Sequence, residues 1–286
     1  MEVIAAHNLP PERVESMGHQ RTRGPCAGPR VDRRRTAAPG RGSPGNSRQR
    51  CRHGRSSRPG TSAVTKFRVL TYNVRALRDD RDALVHVIRS CDADVVCMQE
   101  APRFFRWRAR CAALARDCDL VYVNGGGTTG GVALFAHLRV QVEASREGLL
   151  SKTPGLHRRA VAAAVVSKSG SRLMVVSTHL GLRAQERKRH AGELLAGLSW
   201  VPTPHIVLAG DLNSGPKSEP WLILHQGGLR DPDPRSGPTF PAWEPVKRID
   251  ALLISGDVRV TDYRVVTMRG VERATDHRPV LAVLDV

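Results

Sequence analysis

The stretch His205-Ile-Val-Leu-Ala-Gly210-Asp211-Leu212-Asn213 ends a short apolar run in a carboxylate and an amide. The stretch Thr275-Asp276-His277-Arg278-Pro279 places similar groups directly before the apolar run 280–284. Short apolar runs with such boundaries predict buried strands, and a buried polar group costs free energy unless it is paired. Each stretch therefore predicts a strand with functional polar groups at one of its ends: after the strand in the first stretch and before it in the second.

Apolar runs elsewhere in the chain predict a domain built of both strands and helices. Residues 67–72 and 94–99 predict strands, and the helical pattern between them completes a βαβ unit. Further runs at 159–166 and 172–178 flank Ser169-Gly170, a pair typical of a tight hairpin turn. Consecutive strands of this kind favour two packed sheets over a doubly wound nucleotide fold.

Helices and loops are predicted between these strands. The patterns of 103–116 and 191–198 predict helices, and the five prolines within 231–246 predict a loop. The glycine-rich turn 124–131 lacks the residue pattern of a phosphate-binding loop. A nucleotide-binding loop is therefore disfavoured.

Charge divides the chain of 286 residues into two parts. Residues 1–63 contain thirteen Arg, no Lys and four acidic residues, with many Gly, Pro and Ser and few apolar residues. This composition predicts a disordered basic arm, because it offers too little apolar surface to bury. An Arg-rich arm is also typical of a GC-rich genome, and Val64 could be a non-standard start that leaves the arm untranslated. The predicted domain is 64–286.

The formal net charge of +18 favours an anionic partner, either nucleic acid or an anionic membrane surface. The six Cys form no C-x-x-C pair, which predicts reduced thiols that serve as small apolar residues. No apolar stretch approaches the length of a membrane span, and the N-terminus lacks the apolar core of a signal peptide. We therefore expect a soluble, cytoplasmic monomer with no integral membrane association.

Polar side chains adjoin the ends of nearly every predicted strand. They are Asn73, Gln99 with Glu100, His179, Asp211 with Asn213, Asp250, and Asp276 with His277. Taken singly, an Asn or Asp in such a place commonly caps a turn, and a His commonly makes a structural hydrogen bond. Gathered in one cleft, the carboxylates would repel one another unless a cation compensated them. Hard oxygen ligands indicate Mg²⁺ or Mn²⁺.

In this order the segments resemble the endonuclease/exonuclease/phosphatase superfamily, which includes deoxyribonuclease I. The resemblance covers residues 66–286 and rests mainly on Gly-Asp-Leu-Asn and Asp-His-Arg-Pro. Tyr-Asn-Val, Met-Gln-Glu, Thr-His-Leu and Arg-Ile-Asp support it. It implies an α/β (α+β) fold like that of deoxyribonuclease I: a four-layer sandwich of two packed mixed β-sheets flanked by helices, with the site at one edge.

The resemblance also implies metal-assisted hydrolysis of a phosphoester by a single displacement. Glu100 would hold the divalent cation, with Asn73 beside it and Asp276 contributing to its ligand shell. His277 would be the general base or a phosphate contact, oriented by Asp250 through its other ring nitrogen.

The remaining roles that the resemblance implies concern the attacking water and the phosphate. Asp211 would position or deprotonate the water, and Asn213 would donate to the phosphate. His179 would donate to the phosphate or to the leaving oxygen from the other side. Arg158 and its neighbour Arg159 precede a strand where family members carry a basic residue near the phosphate.

Departures from the family pattern bear on the substrate. Exonuclease III-type apurinic endonucleases carry Gln-Glu-Thr-Lys and a Tyr where this chain has Gln99-Glu100-Ala101-Pro102 and His179. The chain is more similar to the deoxyribonuclease, sphingomyelinase and tyrosyl-DNA phosphodiesterase branches. With a basic domain and Trp243 available to stack a base, it is expected to be a Mg²⁺- or Mn²⁺-dependent nuclease.

Two other functions stay open at this point. A phosphodiesterase or phosphatase of lipid head groups, inositol phosphates or small phosphoesters would be indifferent to salt, whereas nucleic-acid binding falls steeply with salt. A non-catalytic nucleic-acid binder would bind without turnover, and substitution of Glu100 would leave it unaffected.

Overall fold

Two six-stranded sheets form the centre of the computed structural model, which describes residues 64–200 and 203–286. The strands within those residues are β1 (Lys66–Asn73), β2 (Val95–Gln99), β3 (Val121–Gly125), β4 (Ala133–Ala136), β5 (Gln141–Leu149), β6 (Ala160–Lys168), β7 (Ser171–His179), β8 (Ile206–Asp211), β9 (Leu229–Arg230), β10 (Asp250–Ser255), β11 (Arg259–Val265) and β12 (Val280–Asp285). The basic arm expected at 1–63, with the question of its translation, lies outside the described residues.

Each sheet mixes parallel and antiparallel strands. The first sheet has the order β11-β12-β1-β2-β4-β3, and the second has the order β5-β6-β7-β8-β10-β9. The pairs β1–β2 and β7–β8 are parallel, and the two strands of each pair are connected by a crossover that contains a helix. A parallel pair needs such a crossover because its strands run in one direction.

Helices cover the outer face of each sheet. They are α1 (Arg81–Ser90), α2 (Trp107–Asp117), α3 (Ala184–Gly197), α4 (Glu219–Gln226) and α5 (Val271–Ala274). One apolar cluster joins the first sheet to α1, α2 and α5, another joins the second sheet to α3 and α4, and a third lies between the sheets. The four-layer sandwich expected from the sequence is confirmed. Within the described part of the chain, no helix is long and apolar enough to cross a membrane.

The predicted βαβ unit and the hairpin between β6 and β7 are both present. Ser169 and Gly170 connect the hairpin strands with positive φ angles of 49° and 87°, as a tight primed turn requires. The sequence patterns did not predict β5, which is an edge strand with mostly exposed side chains and therefore lacks apolar alternation. The second helix begins at Trp107 and not at Arg103, because Arg106 adopts a left-handed conformation before it.

Four cysteines lie within the described residues, and all of them are buried free thiols, as expected for small apolar residues. Burial raises the pKa of Cys91 and of Cys111 to about 11, and that of Cys118 to about 12. Because the thiolate is the reactive form, these thiols are inert.

Gly210 provides the first testable prediction, since it lets β7 and β8 approach closely just before Asp211. A Cβ atom at Gly210 would lie 2.0 Å from the backbone oxygen of Thr178. We expect Gly210→Ala to lower the free energy of unfolding by more than about 2 kcal/mol and to displace Asp211.

The matched control is Gly192→Ala in α3, where a Cβ atom would meet nothing within 4 Å. There alanine should raise stability by about 0.5 to 1 kcal/mol. Urea denaturation measures both changes, and equal stabilities for the two variants would contradict the account of Gly210.

Candidate active site

The candidate active site lies at one edge of the sandwich, between the two sheets. Along several strands, alternate residues pack against the opposite sheet, and a polar side chain at the strand end continues that alternation. The core residues and their polar successors are Val69 and Asn73, Val175 and His179, and Ala209 and Asp211. Because side chains alternate between faces with a period of two, the polar groups point into the space between the sheets.

Strand pairing brings the polar groups of the second sheet side by side. Asp211 is the register partner of His179 on one side and of Asp250 on the other. His179 Nε2 lies 3.4 Å from Asp211 Oδ2. The three residues thus form one row across the end of the second sheet.

Two side-chain contacts tie the sheets together near the site. Asn73 Nδ2 donates to Asp211 Oδ2 at 3.1 Å, and Gln99 Nε2 donates to Ser177 Oγ at 3.2 Å. Asn73, Gln99, Ser177 and Asp211 are all buried. The row of the second sheet is therefore held against the strand ends of the first.

Glu100 reaches the site through an unfavourable backbone conformation. It follows β2 directly and has a φ angle of 53°, in the left-handed region that L-residues with a side chain rarely adopt. Ala76 N donates to the backbone oxygen of Glu100 at 2.9 Å, and Asn73 Nδ2 donates to its Oε1 at 3.3 Å. Backbone strain of this kind is concentrated at functional sites.

Asp276 is the second acidic group from the first sheet's side of the site. Arg75 Nε lies 3.2 Å from Asp276 Oδ2, and the neighbouring Thr275 Oγ1 donates to the backbone oxygen of Asn73 at 3.0 Å. Asp276 thus lies next to the end of β1, close to the two expected cation ligands.

His277 is held by a buried hydrogen-bonded chain. Its Nδ1 lies 2.9 Å from Asp250 Oδ2, to which Thr239 Oγ1 also donates at 2.6 Å. Its Nε2 faces Asp211 Oδ2 at 3.9 Å and Asp276 Oδ1 at 4.0 Å. Burial lowers the pKa of His277, but the adjacent charges, Asp250 first, outweigh burial and raise this pKa to about 9.

Burial also governs the ionisation of the second sheet's row. Burial and the charge of Asp250 raise the pKa of Asp211 to about 7. Burial and the nearby guanidinium of Arg159 keep the pKa of His179 well below its usual value. His179 is therefore neutral at pH 7.

Asn213 caps the turn that follows Asp211. Its backbone N donates to Asp211 Oδ1 at 2.9 Å, and its Nδ2 donates to the backbone oxygen of Leu180 at 2.9 Å. Its φ angle of 49° is left-handed, like that of Glu100. The amide lines the cavity but already uses one of its donor hydrogens within the protein.

The donor set fits a divalent cation. Glu100, Asn73 and Asp276 offer oxygen ligands, which Mg²⁺ and Mn²⁺ prefer. Asp211, Asp250 and His277 form a second group, with one ligand atom each within 4.8 Å of one another. Asp250 Oδ1 is buried and has no hydrogen-bond partner among the described residues. Such a surplus of buried acceptors and negative charge is what a bound cation compensates.

A cavity of about 550 Å³ opens beside these groups and is also lined by basic side chains. Arg159, Arg103, His157 and Lys247 belong to its lining. The family resemblance suggested a basic residue near the phosphate at Arg158 and its neighbour Arg159. No sequence pattern distinguished Arg103, His157 or Lys247 from solvent-exposed loop residues.

Arg158 and Trp243 are not in the cavity lining, although the sequence suggested both as substrate contacts. Arg158 is exposed, because consecutive residues before β6 point in opposite directions and Arg159 takes the inward position. Trp243 is 61% exposed and lies in a loop whose ends, Phe240 and Lys247, line the cavity. The other expected site residues meet in or beside the cavity.

Sequence comparison identifies one family. The model of the Endonuclease/Exonuclease/phosphatase family matches residues 70–277. A search of curated proteins gives no match.

Solved structures share the fold over most of the chain. An endonuclease/exonuclease/phosphatase from Bacteroides vulgatus is 19% identical with a TM-score of 0.65, covering 78% of this chain and 99% of its own. The mannosyl-6-phosphatase of Bacteroides thetaiotaomicron is 18% identical with a TM-score of 0.62, covering 76% and 99%. TDP2 of D. rerio, in complex with a single-strand DNA product, is 17% identical with a TM-score of 0.61, covering 78% and 100%.

Proposed function

The chain belongs to the endonuclease/exonuclease/phosphatase family, and from this premise we propose that it is a divalent-cation-dependent phosphodiesterase acting on nucleic acid. The observation that carries the proposal is the convergence of strand ends from both sheets on one cavity. Asn73 and Glu100 from the first sheet meet Asp211 from the second, and His277 stands between Asp250 and the cavity.

Glu100, Asn73 and Asp276 are the residues proposed to hold the cation. When bound, Mg²⁺ or Mn²⁺ would polarise a phosphoryl oxygen and offset the charge that develops during displacement. In the structure the Asn73 amide nitrogen faces Glu100 and Asp211, and its oxygen accepts from Arg75 N at 3.1 Å.

Proton transfer is the role proposed for the His277–Asp250 pair. The hydrogen bond from Nδ1 to Asp250 fixes the ring, so that Nε2 is presented to the cavity. Nε2, in the unprotonated form that prevails above its pKa of about 9, accepts the proton of a water molecule that Asp211 orients. The water oxygen bonds to phosphorus, the bond to the leaving oxygen breaks, and the leaving oxygen takes up a proton from solvent. His179, neutral and adjacent to Asp211, donates a hydrogen bond to the phosphate or the leaving oxygen, and Asn213 uses its second amide hydrogen on the phosphate.

Basic groups around the cavity favour a nucleic-acid backbone over a neutral substrate. Lys247, Arg103 and Arg159 line the cavity, and residues 64–286 carry a net positive charge in the sequence. Phosphate contacts of this kind make binding dependent on salt. Lipid head groups, inositol phosphates and small phosphoesters remain alternative substrates with the same reacting group.

The proposal is tested by a substrate screen with Mg²⁺ and Mn²⁺. Single-stranded DNA, duplex DNA, RNA, phosphodiester lipids and inositol phosphates are incubated with the protein, with His277→Ala as the control for contaminating activity. Hydrolysis of a nucleic acid that is lost in the control supports the proposal. Binding without turnover of any substrate would instead indicate a non-catalytic nucleic-acid binder.

Arg159 provides a prediction about phosphate binding. The guanidinium lines the cavity and makes no ion pair with any residue that the structure describes. We expect Arg159→Gln to lower kcat/KM for a phosphodiester about 10- to 100-fold, because a charge-assisted contact to phosphate is lost. Initial rates across a substrate series measure this change.

Arg158→Gln is the matched control for Arg159, since it removes the same charge from the neighbouring exposed position. It should leave kcat/KM within about twofold. A larger loss of kcat/KM in Arg158→Gln than in Arg159→Gln would support Arg158 as the substrate contact, as the sequence suggested, and would contradict the assignment of Arg159. The cytoplasmic location and the monomeric state expected from the sequence stay predictions.

A further inference from the structure

We propose that two loops beside the catalytic cavity bind single-stranded nucleic acid, stacking its bases on exposed aromatic rings and contacting its phosphates with arginines. The first is the rim segment, Arg103–Arg110, which comprises the loop before α2 and the first turn of α2, and the second is the rim loop, Phe240–Lys247. This inference rests on the proposed phosphodiesterase function, because it names the form of substrate that the same site receives.

Exposed aromatic side chains are concentrated on these two loops. Phe104 is 69% exposed, Phe105 is 86% exposed and Trp243 is 61% exposed. The whole chain has five Phe and four Trp, so a third of them are exposed next to one cavity. Single exposed apolar residues are common, but a group of large ones marks a binding surface.

Trp107 anchors the rim segment to the protein. Trp107 packs on the glycine turn, where a Cβ atom at Gly126 or Gly127 would lie 2.6 or 2.4 Å from its ring. The ring also makes an edge contact with Tyr122 at a centroid distance of 6.4 Å. The apolar space below the segment is therefore filled by Trp107, and Phe104 and Phe105 remain at the surface.

Charge on the rim segment complements a polyanion. Arg103, Arg106, Arg108 and Arg110 alternate with the aromatic residues, and the segment contains no acidic residue. The first turn of α2 has no acidic residue either. Cations at a helix N-terminus are unfavourable because they repel the positive end of the helix dipole. The arrangement costs helix stability and is explained if a bound anion offsets that cost.

The position of both loops connects this surface to the reacting groups. Arg103 and Phe104 line the catalytic cavity, and so do Phe240 and Lys247 at the ends of the rim loop. Ala242 N donates to the backbone oxygen of Asp276 at 2.7 Å, which fixes the rim loop to the site. Nucleotides on either side of a phosphate in the cavity would therefore reach the exposed rings.

The chemistry of the two loops favours a single strand over a duplex or a bilayer. Stacking on a protein ring requires a base that is not stacked within a duplex, and rings that alternate with cations are typical of single-strand sites. A helix that lies in a bilayer surface presents an apolar face. In contrast, α2 presents Arg108 and Arg110 to solvent.

The test measures binding separately from turnover. Fluorescence anisotropy with the full chain compares a labelled oligothymidylate of about twelve nucleotides, an abasic oligonucleotide with the same number of phosphates, and a duplex. The variants are Phe105→Ala and Trp243→Ala, because neither side chain belongs to the cavity lining. Leu138→Ala is the matched control, because Leu138 is 82% exposed in the turn after β4, at the opposite end of β2 from Glu100.

We expect the parent protein to bind oligothymidylate more tightly than the abasic strand. The rim variants should weaken oligothymidylate binding roughly tenfold and leave abasic binding unchanged, as loss of a stacked base predicts. Hydrolysis of bis(4-nitrophenyl) phosphate, which is small enough to occupy the cavity without contacting Phe105 or Trp243, should stay within about twofold in every variant.

Equal affinity of the parent protein for the thymidylate and abasic strands would overturn the proposal, as would rim variants that bind oligothymidylate like the parent. Flotation with phosphatidylserine vesicles that is lost in the rim variants, with unchanged oligonucleotide affinity, would assign the surface to a membrane and overturn it too. Failure of the proposed function is a separate result: no hydrolysis of bis(4-nitrophenyl) phosphate or DNA with either cation, whatever the anisotropy shows.

Discussion

His277→Ala is expected to lower kcat for phosphodiester hydrolysis by about 10²- to 10⁴-fold, the usual contribution of a positioned acid or base. In the proposed mechanism the unprotonated ring accepts the water proton at Nε2, a role that alanine cannot fill. KM should change little, because the phosphate keeps its contacts with Arg159 and Asn213. Steady-state kinetics at saturating cation measures the effect.

Two further variants make the His277 prediction specific. Asp250→Asn keeps the side-chain shape but removes the carboxylate that fixes Nδ1, so its loss of kcat should be large but smaller than that of His277→Ala. His190→Ala is the control for deleting a buried imidazole, since His190 is fully buried in α3 and contacts Ser151. It should lower the melting temperature and leave kcat unchanged. Full activity in His277→Ala would remove the imidazole from the mechanism.

Removal of divalent cations is expected to reduce hydrolysis to the rate without protein, and added Mg²⁺ or Mn²⁺ should restore it. Glu100→Gln keeps the side-chain size but weakens the strongest proposed ligand. We expect the cation concentration at half-maximal activity to rise at least about tenfold, as for loss of groups that support a metal site. Titration of activity against each cation provides the measurement.

The control for Glu100 is Glu219→Gln, since Glu219 is exposed in α4 and pairs with Lys188. Its cation midpoint should match that of the parent. Asp250→Asn distinguishes the two candidate ligand groups. If the cation bound to Asp211, Asp250 and His277, Asp250→Asn would raise the midpoint and Glu100→Gln would not. That result would refute the assignment of Glu100.

Much of this architecture could be predicted because the period of two in the strands extends into the site. Val207, Ala209 and Asp211 share one face of β8, so an apolar strand that ends in a carboxylate already specifies where that carboxylate points. The edge strand β5 could not be predicted in this way, since its exposed residues show no apolar pattern.

The orientation of the remaining site residues depends on backbone conformations that hydrophobic periodicity does not predict. Glu100 follows an inward residue and should point outward by alternation, but its left-handed backbone places it on the cavity. Arg158 and Arg159 are chemically identical, and the strand's phase alone decides which one lines the cavity. Phe104 and Phe105 resemble core residues in the sequence, whereas Trp107 occupies that space.

The hydrogen bond between Asn73 and Asp211 joins residues 138 positions apart, one from each sheet. Neither sheet alone contains both the proposed cation ligands and the row of Asp211, His179 and Asp250. During refolding, each sheet could acquire its own strand pairing without forming a reaction centre. The rate at which catalytic activity recovers would therefore report the docking of the two sheets. The rate of change in far-ultraviolet circular dichroism would report the formation of strands and helices.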